Sequence, residues 1–215
     1  HDLLFTSGES VPATPPSPPK KEPSRWGAFQ GKIIRHIEIT TYDPLGFDEQ
    51  DSTQQPNKWE HLGNRIHNKT KSKVVRRLLL FEPYTPLDSI KIKESARVLR
   101  SQYHIRRVSI QPVATHSADS VDIKVNVLDS WSLYADAMGS LSEGTVRVFE
   151  RNFLGLGHQI SGRYSQEIRG KTRPSFGFDY EIPNLYATTL TTSVGYSMDF
   201  DKYYYKYGEL TRPYY

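Results

Sequence analysis

The chain has no cysteine among its 215 residues, which excludes a disulfide framework, a thiol nucleophile and any cysteine-type zinc site. It has no run of about 18 apolar residues, the minimum an α-helical membrane span requires. A secretory leader pattern is also missing. His1 is not an initiator methionine and no basic, apolar and cleavage-site sequence follows it, so the chain reads as a processed or excised piece. Charge of one sign is scarce. The formal net charge is +4 and sits in residues 1–130, where 19 Lys/Arg face 15 Asp/Glu, while residues 131–215 hold nine of each. A balance that modest fits a solvated face and singles out no class of charged partner.

Patterned chemistry is equally sparse. The histidines (His1, His36, His61, His67, His104, His116 and His158) show no metal-ligand spacing, and a Ser, His and Asp can be picked from almost any chain. Gly155 and Gly157 lack the strand-to-helix context of a phosphate loop. No catalytic residue, metal ligand or cofactor is assigned, and the chain is expected not to be an enzyme.

What is present changes character near Trp131. Residues 1–30 form a Pro-rich extended linker, with Pro12, Pro15, Pro16, Pro18, Pro19 and Pro23, because proline fixes φ and removes donors. Ile33, Ile37 and Ile39 among charged neighbours predict a strand. Asp43-Pro44-Leu45-Gly46 breaks it, and the polar stretch from Asp48 to Asn68 is predicted to be a surface loop anchored by Trp59 and Leu62. Thr70–Phe81 reads as a helix ended by Pro83 and Pro86. A second helix, capped by Asp88 or Ser89, runs to about Gln102 with Ile92, Ala96, Leu99 and Tyr103 on one stripe. Ile105–Val113 and Ser120–Leu128 read as strands. In the latter Val121, Ile123, Val125 and Val127 alternate with Asp122, Lys124 and Asn126, which marks one buried and one wet face. Residues 31–129 are thus an α+β unit of order β-α-α-β-β, with both helices on one face of a small sheet.

Residues 130–215 read as strand throughout and hold 11 of the 14 tyrosines. Four or five strands are predicted, the clearest at Trp131–Gly139, Thr145–Asn152, His158–Ile168, Ser175–Ile182 and Thr189–Phe200. Segments of about ten residues that alternate apolar with small or polar side chains satisfy a transmembrane β-barrel, and equally a soluble amphipathic β-domain.

Leu78-Leu79-Leu80-Phe81, then Pro86-Leu87-Asp88, then Glu94-Ser95-Ala96-Arg97-Val98-Leu99-Arg100 leading to Tyr103, resemble the helices of a POTRA domain. Glu150-Arg151-Asn152-Phe153-Leu154-Gly155-Leu156-Gly157-His158 is similar to the turn between early barrel strands of the same proteins. In this order the two signatures resemble the BamA-type outer-membrane assembly factors, over about residues 32–200. Only one POTRA-like unit is present, and the Arg-Gly-Phe/Tyr motif of a late barrel loop is absent.

The resemblance implies a POTRA-like periplasmic domain followed by antiparallel transmembrane β-barrel strands, an incomplete barrel belonging to a longer protein. It implies a place in the outer membrane of a Gram-negative bacterium with the N-terminal part in the periplasm. The implied partners are the outer-membrane lipid bilayer, unfolded outer-membrane protein clients and accessory periplasmic or lipoprotein subunits. Three sets of residues follow. A client-strand edge is placed at Ile105, Arg106, Arg107, Val108, Ser109, Ile110 and Gln111, although Pro112 and the two arginines equally read as protection against edge pairing. A barrel seam strand is placed at Leu133, Tyr134, Ala135, Asp136, Ala137, Met138 and Gly139. The family-like turn is Asn152, Phe153, Leu154, Gly155 and Gly157. Trp131 and the tyrosines Tyr203–Tyr205, Tyr207, Tyr214 and Tyr215 are candidates for an interfacial girdle. Basic and aromatic residues fall in different halves, which argues against nucleic acid as partner. Two alternatives stay open: a soluble envelope module that binds peptide or glycan, and a front end to an enzyme lying beyond Tyr215.

Overall fold

The computed structural model describes residues 26–46, 57–168, 173–185, 188 and 190–212. The proline-rich stretch to residue 25, Asp48–Pro56 and the tyrosines Tyr186, Tyr214 and Tyr215 lie outside the described residues.

The first unit runs β1 (Ile33–Tyr42), α1 (Lys58–Ile66), α2 (Ser72–Arg77), α3 (Ser89–Arg100), β2 (Ile105–Ala114) and β3 (Ser120–Asp129). Its sheet has the order β1-β3-β2, with β1 parallel and β2 antiparallel to the central β3. β3 sits in the middle because its alternation is unbroken: Val121, Ile123, Val125 and Val127 are all at most 1% exposed. Val75 and Leu79, from α2 and the turn after it, and Ile92 and Leu99 of α3 cover that face. Each such aliphatic side chain contributes about 2 kcal/mol by leaving water. The Asp88 carboxylate accepts from the Ile90 N–H at 2.9 Å and starts α3. Trp26, at the end of the proline-rich stretch, is also part of this core.

Four sequence expectations need correction. The predicted loop contains α1, whose N-terminus is a capping box: Asn57 accepts from the Trp59 and Glu60 N–H groups, and Glu60 accepts from the Asn57 N–H. The helix predicted over Thr70–Phe81 is only six residues long, Ser72–Arg77. It has no side-chain cap at Lys71, holds two β-branched residues, and gives way to a turn in which the Leu80 N–H bonds to Ser95 Oγ at 2.8 Å, where a longer helix would need it internally. Tyr103 is not on the buried stripe; it is exposed. In β1 the core residues are Ile34 and Ile37, with Ile33 outside, because a bulge sets Arg35 and His36 against Asp122 alone and turns the strand by one residue. A bulge inverts the face on which later side chains fall. The described element order is therefore β-α-α-α-β-β.

The second sheet is a six-stranded antiparallel meander: β4 (Leu133–Gly139), β5 (Glu143–Phe153), β6 (His158–Glu167), β7 (Pro174–Ile182), β8 (Thr191–Met198) and β9 (Tyr204–Thr211), paired in sequence order. The four or five strands expected from sequence are six. β9 escaped notice because tyrosines occupy both of its faces (Tyr204, Tyr205 and Tyr207), which hides the period of two. Among the described residues the sheet is an arc with β4 and β9 as its edges, not a closed barrel.

Candidate functional site

The register of the meander sorts its side chains into two faces. Directly paired residues of antiparallel strands lie on one side of a sheet, so the row Ala135, Val148, Gly162, Phe178, Tyr196, Lys206 runs across one face. Val146, Ile160, Tyr164, Phe176, Val194 and Leu210 share that face, with Glu150, Gln166 and Thr192 toward its ends. Phe176 is 40% exposed and Leu210 61%, with Val146, Val148, Tyr164, Phe178 and Val194 between them, so nothing among the described residues covers them. Six strands about 4.8 Å apart and about 25 Å long make a face on the order of 700 Å². Lys206 shares this face near the far end, its ammonium over the Tyr196 and Tyr204 rings at 5.9 and 5.6 Å.

The opposite face is polar and internally bonded. Arg147 forms a two-pronged pair with Asp136 at 2.9 and 3.1 Å. Ser161 and Tyr207 both donate to Asp179, at 3.1 and 2.7 Å, and Gln159 donates to Glu181 at 2.8 Å. The Tyr207 ring lies over Gly195, where an added Cβ would sit 2.1 Å from a ring carbon. Aromatics gather toward both ends of the apolar face, with Phe153 and Tyr180 at the end nearest the first unit and Tyr164, Phe176 and Tyr204 at the other. Trp131, just before β4, donates its indole N–H to the Leu133 carbonyl.

The family-like turn proves to be the joint between the two units. Phe153 pairs with His158 across the turn, and Leu154, Gly155 and Gly157 all have positive φ, at 56°, 70° and 72°. Asn152 is fully buried. Its Nδ2 donates to the Asn68 carbonyl at 2.7 Å and to Thr70 Oγ1 at 2.9 Å, while its Oδ1 accepts from the Gly157 N–H at 2.9 Å. The Lys71 N–H donates to the Gly155 carbonyl at 2.9 Å. A Cβ at Gly155 would lie 2.1 Å from the Lys69 carbonyl oxygen, so only glycine permits that approach.

Beside the turn, Asp129 Oδ2 accepts from the Thr70 N–H at 2.7 Å and lies 3.0 Å from His67 Nε2, and His67 Nδ1 lies 3.3 Å from Ser132 Oγ. This puts a Ser, a His and an Asp in line, but Ser132 is 1% exposed and Asp129 and the His67 ring are fully buried. Ser132 Oγ is closed off by the described residues around it, and the line acts as a brace that ties β3, the segment after α1 and the start of β4 together. His104, 3% exposed, packs against Gly157 with its Nε2 unbonded. Burial is the main cause that lowers its pKa to about 4, with Asp129 opposing and His67 assisting. The brace was missed in the sequence because its two halves, His67 with Thr70 and Asp129 with Ser132, lie about 60 residues apart. One signal was available: Asp129 continues the inward alternation of Val121–Val127, so an acid falls where a core side chain belongs.

The other two residue sets separate. β2 is one edge of the three-stranded sheet, with Ile105 and Val108 buried inward, Ser109 and Ile110 half-buried, and Arg106, Arg107 and Gln111 exposed. The opposite edge, β1, is covered at its start, where Ile34 exchanges backbone bonds with Tyr84 and Thr85. β4 is an edge of the meander. Its Tyr134, Asp136 and Met138 take the polar face, and Leu133, Ala135, Ala137 and Gly139 take the apolar one. Among the described residues no cluster of His, Asp or Glu is arranged to hold a metal.

No family model and no curated protein sequence matches the chain. Among solved structures it is similar to BamA from Haemophilus ducreyi lacking POTRA domains 1–3, at 15% identity over 77% of this chain and 27% of that one, with a TM-score of 0.49. It is also similar to CdiB from Acinetobacter baumannii, at 12% identity over 78% of this chain and 28% of that one, with a TM-score of 0.44. The chain spans little more than a quarter of the length of either structure.

Proposed function

We propose that the chain is the aqueous domain and the first membrane strands of an outer-membrane protein assembly or translocation factor, acting without catalysis. The observation that supports it is the sorting of β4–β9 into one apolar, uncovered face and one polar, internally bonded face. A sheet with that division suits hydrocarbon on one side and a wet lumen on the other, and the 9–11 residues of β5, β6 and β7 suit a tilted crossing of the bilayer. The POTRA-like and turn signatures in the sequence add the assembly role. A closed single-chain barrel of this kind takes at least about eight strands, so further strands complete the arc.

In this reading the three-stranded unit stands in the periplasm and β2 receives an extended client segment by strand addition. Pro112 lies within β2 opposite Ile123, a position tolerated where the proline nitrogen faces away from the ladder. By alternation the Ile110 amide shares that outward side, available to a client carbonyl. β4, with Ala135 and Ala137 giving few side-chain contacts, is the seam that parts to admit client strands.

The test is fractionation of the intact polypeptide. Retention in urea-washed outer membranes, with faster gel migration unboiled than boiled, is expected. A soluble, heat-indifferent protein would overturn the membrane reading and leave a soluble binding module. Ile110→Pro tests the client edge separately: crosslinking of clients to β2 is expected to fall while folding is unchanged, and undiminished crosslinking removes that role.

A further inference from the structure

We infer that α1 is an interfacial membrane helix, lying beside the first strand of the sheet with Trp59, Leu62 and Ile66 in the headgroup–acyl boundary of the bilayer. This rests on the transmembrane reading of β4–β9.

At 100° per residue Trp59, Leu62 and Ile66 fall within about 60° of one another. They are the large apolar side chains of α1, yet they are 81%, 52% and 55% exposed. An amphipathic helix of a soluble protein turns that stripe to the core. This one is held by a different flank. A Cβ on Gly63 would meet Leu45 at 2.6 Å and the Trp131 ring at 3.7 Å, and Asn64 clasps the Leu45 backbone, donating to its carbonyl at 2.9 Å and accepting from its N–H at 3.3 Å. Among the described residues the stripe is therefore left uncovered after docking, on a helix too short to persist in water without packing.

Two features identify the bilayer as what covers it. The first is continuity. Gly63 abuts Trp131, which is tied by its indole N–H to the Leu133 carbonyl, and Leu133 begins the apolar row that continues through Ala135 and Ala137. The stripe thus lies at the end of the lipid-facing surface, at the level of the joint. The second is charge. Lys58 and Arg65 border the stripe on its outer flank, while Glu60, the acid of the helix, is taken up in the N-terminal cap. A tryptophan-bearing apolar stripe bordered by cations fits the interface of a membrane with anionic phospholipid phosphates.

The absence of cysteine from this sequence favours site-specific spin labelling. Leu62→Cys, His61→Cys and Val148→Cys are each labelled with a nitroxide in the intact polypeptide, any other cysteine replaced by serine. The protein is reconstituted in vesicles of phosphatidylethanolamine and phosphatidylglycerol. Accessibility to oxygen and to a water-soluble nickel chelate is then compared. The expected result is an oxygen-to-nickel ratio several-fold higher at position 62 than at 61, with 148 deeper still. Equal ratios at 62 and 61 with 148 in the bilayer would overturn the interfacial helix alone. Shielding of position 62 from both reagents would mean that protein covers the stripe, and overturns it too. Water-like values at 148 would bring down the transmembrane reading itself.

Discussion

Asn152→Ala is the most direct test of the joint. The substitution deletes two bonds into the first unit, to the Asn68 carbonyl and Thr70 Oγ1, and one within the turn, from the Gly157 N–H. No water can replace them at once, because the position is fully buried. A net hydrogen bond contributes about 1 kcal/mol, and a buried group left without its partner costs about 1–3 kcal/mol. Three bonds lost, with partial relaxation of Thr70 toward Asp129, place the cost at about 3 kcal/mol. The effect is local, so amide hydrogen exchange is the assay. The Lys71 N–H, which crosses the joint to the Gly155 carbonyl, reports docking of the turn. A change of about 3 kcal/mol in the opening equilibrium accelerates its exchange roughly 100-fold, while core amides of β3 keep their protection. Unchanged exchange at Lys71 and Gly157 would refute the claim that Asn152 holds the two units together.

Phe178→Arg, at the centre of β7 on the apolar face, is expected to cost about 2–4 kcal/mol of folding in a bilayer. Ser161→Arg, on the polar face beside Asp179, should be nearly neutral, and equal yields of the compact unboiled gel form would contradict the two-faced reading. His104 stays neutral in the folded chain down to about pH 4, whereas an unfolded histidine protonates near 6.5. Stability is therefore full above pH 6.5 and declines by about 3 kcal/mol as pH falls to about 4. Chemical unfolding of wild type against His104→Gln at pH 7 and 4.5 measures this, and an identical pH dependence in both would remove His104 as its source. Gly195→Val is expected to displace the Tyr207 ring and break its bond to Asp179. Altered Tyr207 fluorescence or NMR shifts and a lower unfolding temperature report it, and unperturbed signals would count against the packing described.

The parts of this fold that could be read from sequence are those governed by a local period. β3 is written in four alternating aliphatics, α3 in an acid cap and an Ile92–Ala96–Leu99 stripe, and β4–β8 in their alternation. Where two signals conflict, reading fails. The Asp48–Asn68 stretch is polar enough to look like a loop, and Asn57 with Glu60 three residues later was the overlooked start of α1. β9 carries tyrosine on both faces, and the bulge at Arg35–His36 moves the β1 core from Ile33 to Ile34. The turn motif Asn152–Gly157 was visible as a pattern, but its bonding partners Asn68, Thr70 and Lys71 lie more than 80 residues away and follow no period. Only the folded arrangement brings them together.

The joint also has mechanical meaning. The first unit is fastened to the sheet along the backbone at residues 130–132, which lead into the edge strand β4, through the β5–β6 turn, and from the loop after β7, where Asn184 Nδ2 donates to Gln102 Oε1 at 3.1 Å. A pull on the first unit is carried into the interior pair β5–β6 as well as into β4. Among the described residues β4 pairs on one side alone, so a change in its pairing would leave the connection through β5–β6 in place.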